Sequence, residues 1–195
     1  MKNERIRNIK KEELSDNWYT LNNYNFDYQR EDGSWETQQR ESYDCGDGAA
    51  ILLYNRERKT VILTRQFRIP TYVNGNDDGM MVEVCAGLLE ELSPEECIKK
   101  EALEETGYKI NEVQQVMVTF MCPGSVTQKL YLFMAAYDSY MKVAKGGGAL
   151  DETENIEVLE FSFTKALDMI SNGEIKDAKS IMLLQHAALT GIFES

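Results

Sequence analysis

Between Ser93 and Gly107 the chain carries a helix with both of its ends written into the sequence. Ser93 is placed as N-cap, Pro94 suits the first helical position, where an N–H would go unbonded anyway, and Glu96 completes an S-x-x-E capping box. Gly107 is the C-terminal stop, since glycine accepts the left-handed conformation that ends many helices. A segment bounded this firmly cannot serve as a strand, and the rest of the fold has to be arranged around it.

Inside the helix, Glu101, Glu104 and Glu105 stand at positions i, i+3 and i+4. At ~100° per residue they share one arc of the surface. Like charges at this spacing destabilise a helix by about 0.2–0.5 kcal/mol per pair. They also lie near the C-terminus, where the helix dipole disfavours anions. A solvated acidic face is the plain reading. Against it, Glu105 projects only ~20° from Ile98, so the acidic stripe abuts the apolar one. Lys99 and Lys100 are the local cations. A hard divalent cation held through oxygen ligands would supply the missing counter-charge, and magnesium would also keep waters and substrate phosphates in its shell.

Composition narrows the classes that remain. The 195 residues are 43% hydrophobic, which suits a soluble domain with a real core plus a possible subdomain. The net charge of -12 works against duplex nucleic acid and anionic membrane surfaces, so neither is an expected partner. A small anionic substrate remains open, because arginines or bound metal can invert the field locally. Cys45, Cys85, Cys97 and Cys122 show no C-x-x-C spacing and read as buried thiols. The single histidine, His186, leaves no histidine-rich zinc site and reads as structural. The charged start, Met1 to Lys11, has no apolar core of a signal peptide, and no run approaches the ~20 apolar residues of a membrane span. A cytoplasmic protein is expected.

The remaining pattern is mostly strand. Asn17 to Arg30 and Trp35 to Tyr43 alternate around the turn signal Asp32-Gly33-Ser34. Ala49 to Tyr54, Val61 to Phe67, Met80 to Cys85, Val116 to Met121, Lys129 to Ala136 and Ile156 to Phe163 are further strand candidates. Thr164 to Ser171 and Ala178 to Ile192 read as helices separated by Asn172-Gly173. Residues 1–44 form a β-rich lead-in and residues 45–195 the main domain.

Ala86-Gly87-Leu88-Leu89-Glu90-Glu91 ahead of the helix, and Lys100-Glu101-Ala102-Leu103-Glu104-Glu105-Thr106-Gly107-Tyr108 at its end, resemble the Nudix box. The second half of that box reads R-E-U-x-E-E-x-G-U, with U apolar; here Lys100 replaces the arginine. The first half departs: counted from Gly87 the spacing is one residue short, and Leu92 or Ser93 falls where the box has its early glutamate. The Ser93 capping box can replace that glutamate's structural part. The likeness extends to Asp16-Asn17-Trp18-Tyr19, Arg40-Glu41-Ser42-Tyr43-Asp44, Arg65-Gln66-Phe67-Arg68, Val73-Asn74-Gly75-Asn76, Pro123-Gly124, Gly146-Gly147-Gly148 and Ile156-Glu157-Val158-Leu159-Glu160. These segments are similar to the bacterial GDP-mannose hydrolase branch of the Nudix family.

The resemblance implies an α/β fold, an α/β/α sandwich around a mixed sheet, with an N-terminal antiparallel β subdomain exchanged across a homodimer. It implies magnesium-dependent cleavage of the diphosphate of a nucleoside-diphosphate sugar, GDP-mannose first, with Mn2+ able to substitute. An ADP-ribose pyrophosphatase is the alternative, and a nucleotide sensor without catalysis is a further one. The metal would be held by Glu101 and Glu105 and the Ala86 carbonyl, with Glu104 as ligand or supporting partner. Glu154 matches the family's loop glutamate, a candidate general base and further metal ligand; Glu152 is its rival. Arg40 and Arg68 would contact the diphosphate and Trp18 would stack on the base. Glu41, Gly87, Leu88 and Lys179 would complete the substrate surface. Gln128 departs from the pattern, which has a glutamate there.

Overall fold

The computed structural model describes residues 3–148 and 155–194. The chain folds as two compact units, one made of Met1–Asp47 with Phe120–Lys129 and the other of Gly48–Thr119 with Leu130–Ser195.

The first unit is a three-stranded antiparallel sheet, β1 (Ile6–Asp16), β2 (Thr20–Gln29) and β3 (Trp35–Asp44), in that order. β2 and β3 pair in unbroken register from Thr20 opposite Asp44 to Gln29 opposite Trp35. Their turn falls at the expected place: the Asp32 carboxylate accepts the Ser34 N–H at 2.9 Å, and Gly33 takes a φ of 85° that favours glycine. β1 is an addition to the expected strands. Nearly all of its 11 residues are exposed, and it pairs with β2 through a register that slips between Arg7 and Lys10 and again between Glu13 and Ser15. The segment Phe120–Lys129 closes this unit, with the Tyr43 N–H donating to the Ser125 carbonyl at 2.8 Å and the Thr127 N–H to the Tyr43 carbonyl at 3.1 Å.

The second unit is built on β4 (Gly48–Asn55), every residue of which is buried. β4 runs parallel to β9 (Lys129–Ala136) and antiparallel to β5 (Thr60–Phe67), so the sheet is mixed. Its order is β10-β5-β4-β9-β8, with β8 at Gln114–Phe120 and β10 at Glu157–Ser162. β4 and β5 pair only near their hairpin, from Leu53 opposite Ile62 to Asn55 opposite Thr60, and then part. The expected strand Met80 to Cys85 lies in this fork as two: β6 (Met80–Glu83) pairs with β5 and β7 (Cys85–Leu88) with β4. The chain changes strand partner at Val84, whose N–H is taken by the Ser180 hydroxyl at 2.7 Å.

Alternation along β4 gives it two apolar faces. Ala49, Ile51 and Leu53 join one buried cluster with Cys97, Ile98 and Ala102 of the glutamate helix, α2 (Pro94–Glu101) and its continuation. The Tyr54 ring, on the opposite face, meets Phe193 with centroids 6.1 Å apart. Helices α3 (Phe163–Ser171) and α4 (Ala178–Leu189) pack together, and α4 also packs on β4. Covering both faces explains why the run from Ala49 to Tyr54 is continuously apolar. A short helix, α1 (Ile69–Tyr72), follows β5 and went unforeseen. Among the described residues, no helix is long and apolar enough to cross a membrane.

Ile98 is fully buried where α2 meets β4. Ile98→Ala is expected to lower the unfolding free energy by about 2–5 kcal/mol, seen as a lower denaturant midpoint at unchanged m-value.

Candidate active site

The capping box at the start of α2 is formed as expected: the Ser93 hydroxyl accepts the Glu96 N–H at 3.3 Å, and the Glu96 carboxylate accepts the Ser93 N–H at 3.1 Å. The far end differs from a regular helix. After Glu101 the chain widens into a π-helical turn, Ala102–Thr106, before Gly107 ends it at φ 79°. Only glycine suits that stop, because a Cβ there would lie 2.2 Å from the Ala144 carbonyl oxygen. The wider turn carries Glu104 and Glu105, and insertions of this kind concentrate at functional sites.

The three glutamates then part company. Glu105 is buried, 1% exposed, and its Oε2 accepts the Ala86 N–H of β7 at 3.3 Å. The fully buried Cys85 thiol is pushed well up by burial and by the Glu105 carboxylate, to which it is hydrogen-bonded. Glu101 lies against Gly87, where an added Cβ would stand 2.2 Å from its carboxyl carbon. Glu104 faces Lys100 at 3.5 Å and is partly exposed. Glu101 and Glu105 are thus set against the backbone of Ala86 and Gly87, and Leu88 ends the same strand half-exposed. Among the described residues no three acidic, cysteine or histidine side chains close into a cage for a metal. Two carboxylates beside an open backbone do fit magnesium, which takes oxygen ligands and leaves much of its shell to water and phosphate.

A second charged cluster adjoins the first. Arg68, between β5 and α1, bonds the buried Glu83 carboxylate through both Nε (3.0 Å) and Nη2 (2.9 Å). The Lys179 ammonium reaches Glu83 and Asp177, each at 2.9 Å. Burial pushes the Glu83 carboxyl up, but the Arg68 bond and the charges of Lys179 and Arg68 outweigh it and hold the group below the usual carboxylate range. Burial likewise disfavours charge on Lys179, yet Glu83 and Asp177 raise its pKa and keep it cationic. Arg68 also feels the Glu105 charge, which links the two clusters electrostatically. Glu83 and Asp177 were absent from the sequence expectations. The signal was available for Glu83: a lone carboxylate in the apolar strand Met80-Met81-Val82-Glu83-Val84 demands a buried partner.

Trp18, Arg40 and Glu41 are carried by the first unit. Trp18 is 84% exposed, so it is not a core aromatic; the exposed Arg40 donates to the Gln39 carbonyl at 2.7 Å and to Gln38 at 3.2 Å. Gln128 lies in the Phe120–Lys129 segment of that unit. Glu152 and Glu154 lie outside the described residues. The residues flanking them are tied to the glutamate helix: the Gly147 and Gly148 N–H groups donate to the carbonyls of Glu105 (2.8 Å) and Glu104 (3.1 Å), and the Ile156 N–H donates to the Gly147 carbonyl (3.1 Å). His186 lies in the last turn of α4. Cys85 and Cys97 are buried as expected, whereas Cys122 is exposed and Cys45 half-buried.

A mixed sheet between helices thus carries a glutamate helix set against a glycine-bearing strand. Residues 46–184 match the NUDIX domain family, and the chain belongs to it, as a hydrolase acting on pyrophosphate bonds. Residues 5–43 match the family described as GDP-mannose pyrophosphatase NudK N-terminal domain. The chain is 55% identical over 185 residues to the GDP-mannose pyrophosphatase of Pectobacterium atrosepticum, covering 95% of both chains. To that of Yersinia enterocolitica it is 52% identical over 190 residues, covering 97% of this chain and 98% of the relative. To that of Escherichia coli O157:H7 it is 47% identical over 191 residues, covering 98% and 99%. A crystal structure of an ADP compounds hydrolase shares the fold, with a TM-score of 0.72 at 18% identity, covering 97% of this chain and 95% of the other.

Gly87 leaves room for Glu101, and what a Cβ would strike is the tip of a flexible side chain. Gly87→Ala should therefore fold normally, with the melting temperature near that of the parent. It should lose about a hundredfold in kcat, the scale of a misplaced catalytic group. Unchanged turnover would show that the place of Glu101 is immaterial.

Proposed function

We propose that the chain hydrolyses the diphosphate bond of GDP-mannose, or of a similar nucleoside-diphosphate sugar, to a nucleoside monophosphate and a sugar 1-phosphate, with Mg2+ as cofactor and Mn2+ able to substitute. The observation that carries this reading is Glu101 and Glu105 set against the Ala86-Gly87 backbone, in a chain about half identical to several GDP-mannose pyrophosphatases over nearly its whole length. Glu101, Glu105 and the Ala86 carbonyl would hold the metal, with Glu104 and Glu154 as further candidates. The ion supplies charge neutralisation at the diphosphate and a more acidic water.

The chain's own groups do the rest. Arg68, its Nε and Nη2 engaged by Glu83, offers the outward Nη1 edge of its guanidinium to the diphosphate oxygens, and Lys179 adds a fixed positive charge behind it. Gly87 and Leu88 give backbone surface for the substrate to approach. Glu154 takes the proton of the attacking water. Support for that role comes from its neighbours: the glycines before it and Ile156 after it are bonded to the end of the glutamate helix and to each other. Trp18, whose ring is exposed, is assigned to stacking on the nucleobase, and Arg40 and Glu41 to the remaining polar contacts. The active form is a homodimer.

The first measurement is a panel of GDP-mannose, GDP-glucose, ADP-ribose and ADP-glucose with magnesium, with products resolved by chromatography. GMP and mannose 1-phosphate should appear, with the highest kcat/KM for GDP-mannose. A preference for ADP-ribose would make the chain an ADP-ribose pyrophosphatase, and no turnover of any of these compounds would mean that Gln128 and the acidic loop have redirected the site. Glu105→Gln should cut kcat by about a hundredfold or more through loss of metal chemistry while the fold survives. Glu154→Gln should cost about 10²–10⁴ in kcat, the range for a general base. If Glu152→Gln alone is inactive, the base is Glu152.

A further inference from the structure

We propose that Glu83 is a positioning residue for anion binding: it holds Arg68 and Lys179 in place so that the outward edge of the Arg68 guanidinium meets the substrate diphosphate. The inference rests on the proposed function for the identity of that anion.

Glu83 is 3% exposed, at the end of β6 and four residues before Gly87. Its two oxygens take the Nε and Nη2 atoms of Arg68 at 3.0 and 2.9 Å, a fork that also fixes the plane of the guanidinium. The edge carrying Nη1 is then turned away from Glu83. Burial is unequal within the pair: the Arg68 side chain is 41% exposed and that of Glu83 only 4%. The carboxylate lies inside and the cation outside, so an incoming anion reaches Arg68 and not Glu83.

Arg68 is held at its root as well. Its N–H donates to the Gly79 carbonyl at 2.8 Å, and its own carbonyl accepts the Thr71 N–H at 3.0 Å and the Thr71 hydroxyl at 2.9 Å. An arginine fixed at both ends has little rotamer freedom left to lose when it binds. On the other side of Glu83, Lys179 is clamped between Glu83 and Asp177, and Asp177 is itself fixed as N-cap of α4 through the Ser180 N–H at 3.0 Å. The two cations share one buried carboxylate. Removing its charge would leave Arg68 and Lys179 adjacent and repelling, and would release the guanidinium from its plane.

The test is a double-mutant cycle with GDP-mannose and magnesium on Glu83→Gln, Arg68→Ala and the double variant, alongside melting temperatures. Glu83→Gln should lower kcat/KM about tenfold, mainly through KM, as expected for a lost charge-assisted fork. In the Arg68→Ala background the same change should cost less than about twofold, because the two residues act as one unit. Glu83→Asp should recover part of the loss. Costs that add, or a Glu83→Gln variant with parental KM and kcat, would overturn the proposal. Should Glu83→Gln fail to fold, the cycle is run with Glu83→Asp, which keeps the charge but draws it back by one methylene, and the same coupling is required. If the parent protein leaves GDP-mannose intact, the cycle is read by calorimetry on pyrophosphate with magnesium. Coupling there would uphold the role of Glu83 while the proposed substrate fails, and additivity would remove both.

Discussion

Burying carboxylates in a protein of net charge -12 is the constraint that organises this molecule. Glu83 is 3% exposed and Glu105 1%, within the same unit. An ionised carboxylate out of water is tolerated only where cations or hydrogen-bond donors replace its hydration. The two are served in different ways. Glu83 has permanent partners, a guanidinium and an ammonium at close range. Glu105 is given a backbone N–H, a thiol and the more distant field of Arg68. The first arrangement is closed by protein charges. The second leaves a carboxylate suited to an exchangeable cation, so that under the proposed function the same degree of burial gives a fixed anchor in one case and a metal ligand in the other.

The topology that brings the pair together is the fork between β4 and β5. Because these strands part after a short hairpin pairing, β6 and β7 can fill the gap, one on each. The switch at Val84 puts Glu83 toward Arg68 and the following Ala86 and Gly87 toward the glutamate helix. Ser180 serves both ends of this junction. Its hydroxyl accepts the Val84 N–H, and its own N–H bonds the Asp177 carboxylate that also holds Lys179. Strand exchange, helix cap and ion cluster are thus one connected piece of hydrogen bonding, and their parts are coupled beyond simple pairwise sums.

Much of this was legible from residues alone, for identifiable reasons. The capped helix, the apolar run of β4 and the hairpin around Asp32-Gly33-Ser34 are signalled by local chemistry, and each forms where expected. β1 was not, because its residues are polar on both faces and periodicity is silent where little is buried. The π-helical turn was also invisible, since an extra residue per turn leaves no compositional mark. Within the site, the projection of Glu105 beside Ile98 set the acidic stripe against the apolar one, and Glu105 is the glutamate of the three that is buried. The apolar strand around Glu83 signals that it needs a buried partner, but not which one, because its partners are distant in sequence, Arg68 by 15 residues and Lys179 by 96. A pattern reading sees spacing along one element; an ion cluster assembled from three elements has none.

The charge distribution finally bears on how an anionic substrate is admitted at all. The chain as a whole repels a diphosphate at long range, a repulsion that salt screens within about 8 Å at physiological ionic strength. Inside that distance only local groups count. Arg68 has its charge secured by Glu83 and its guanidinium part-exposed, so it is a cation the solvent side can reach, whereas Lys179 is nearly enclosed between two carboxylates. The cluster of Arg68, Lys179, Glu83 and Asp177 is neutral as a set, yet it is polarised, with its acids inside and a guanidinium at its edge. Under the proposed role such a set would attract an anion through orientation rather than net charge, and orientation is what its four hydrogen bonds preserve.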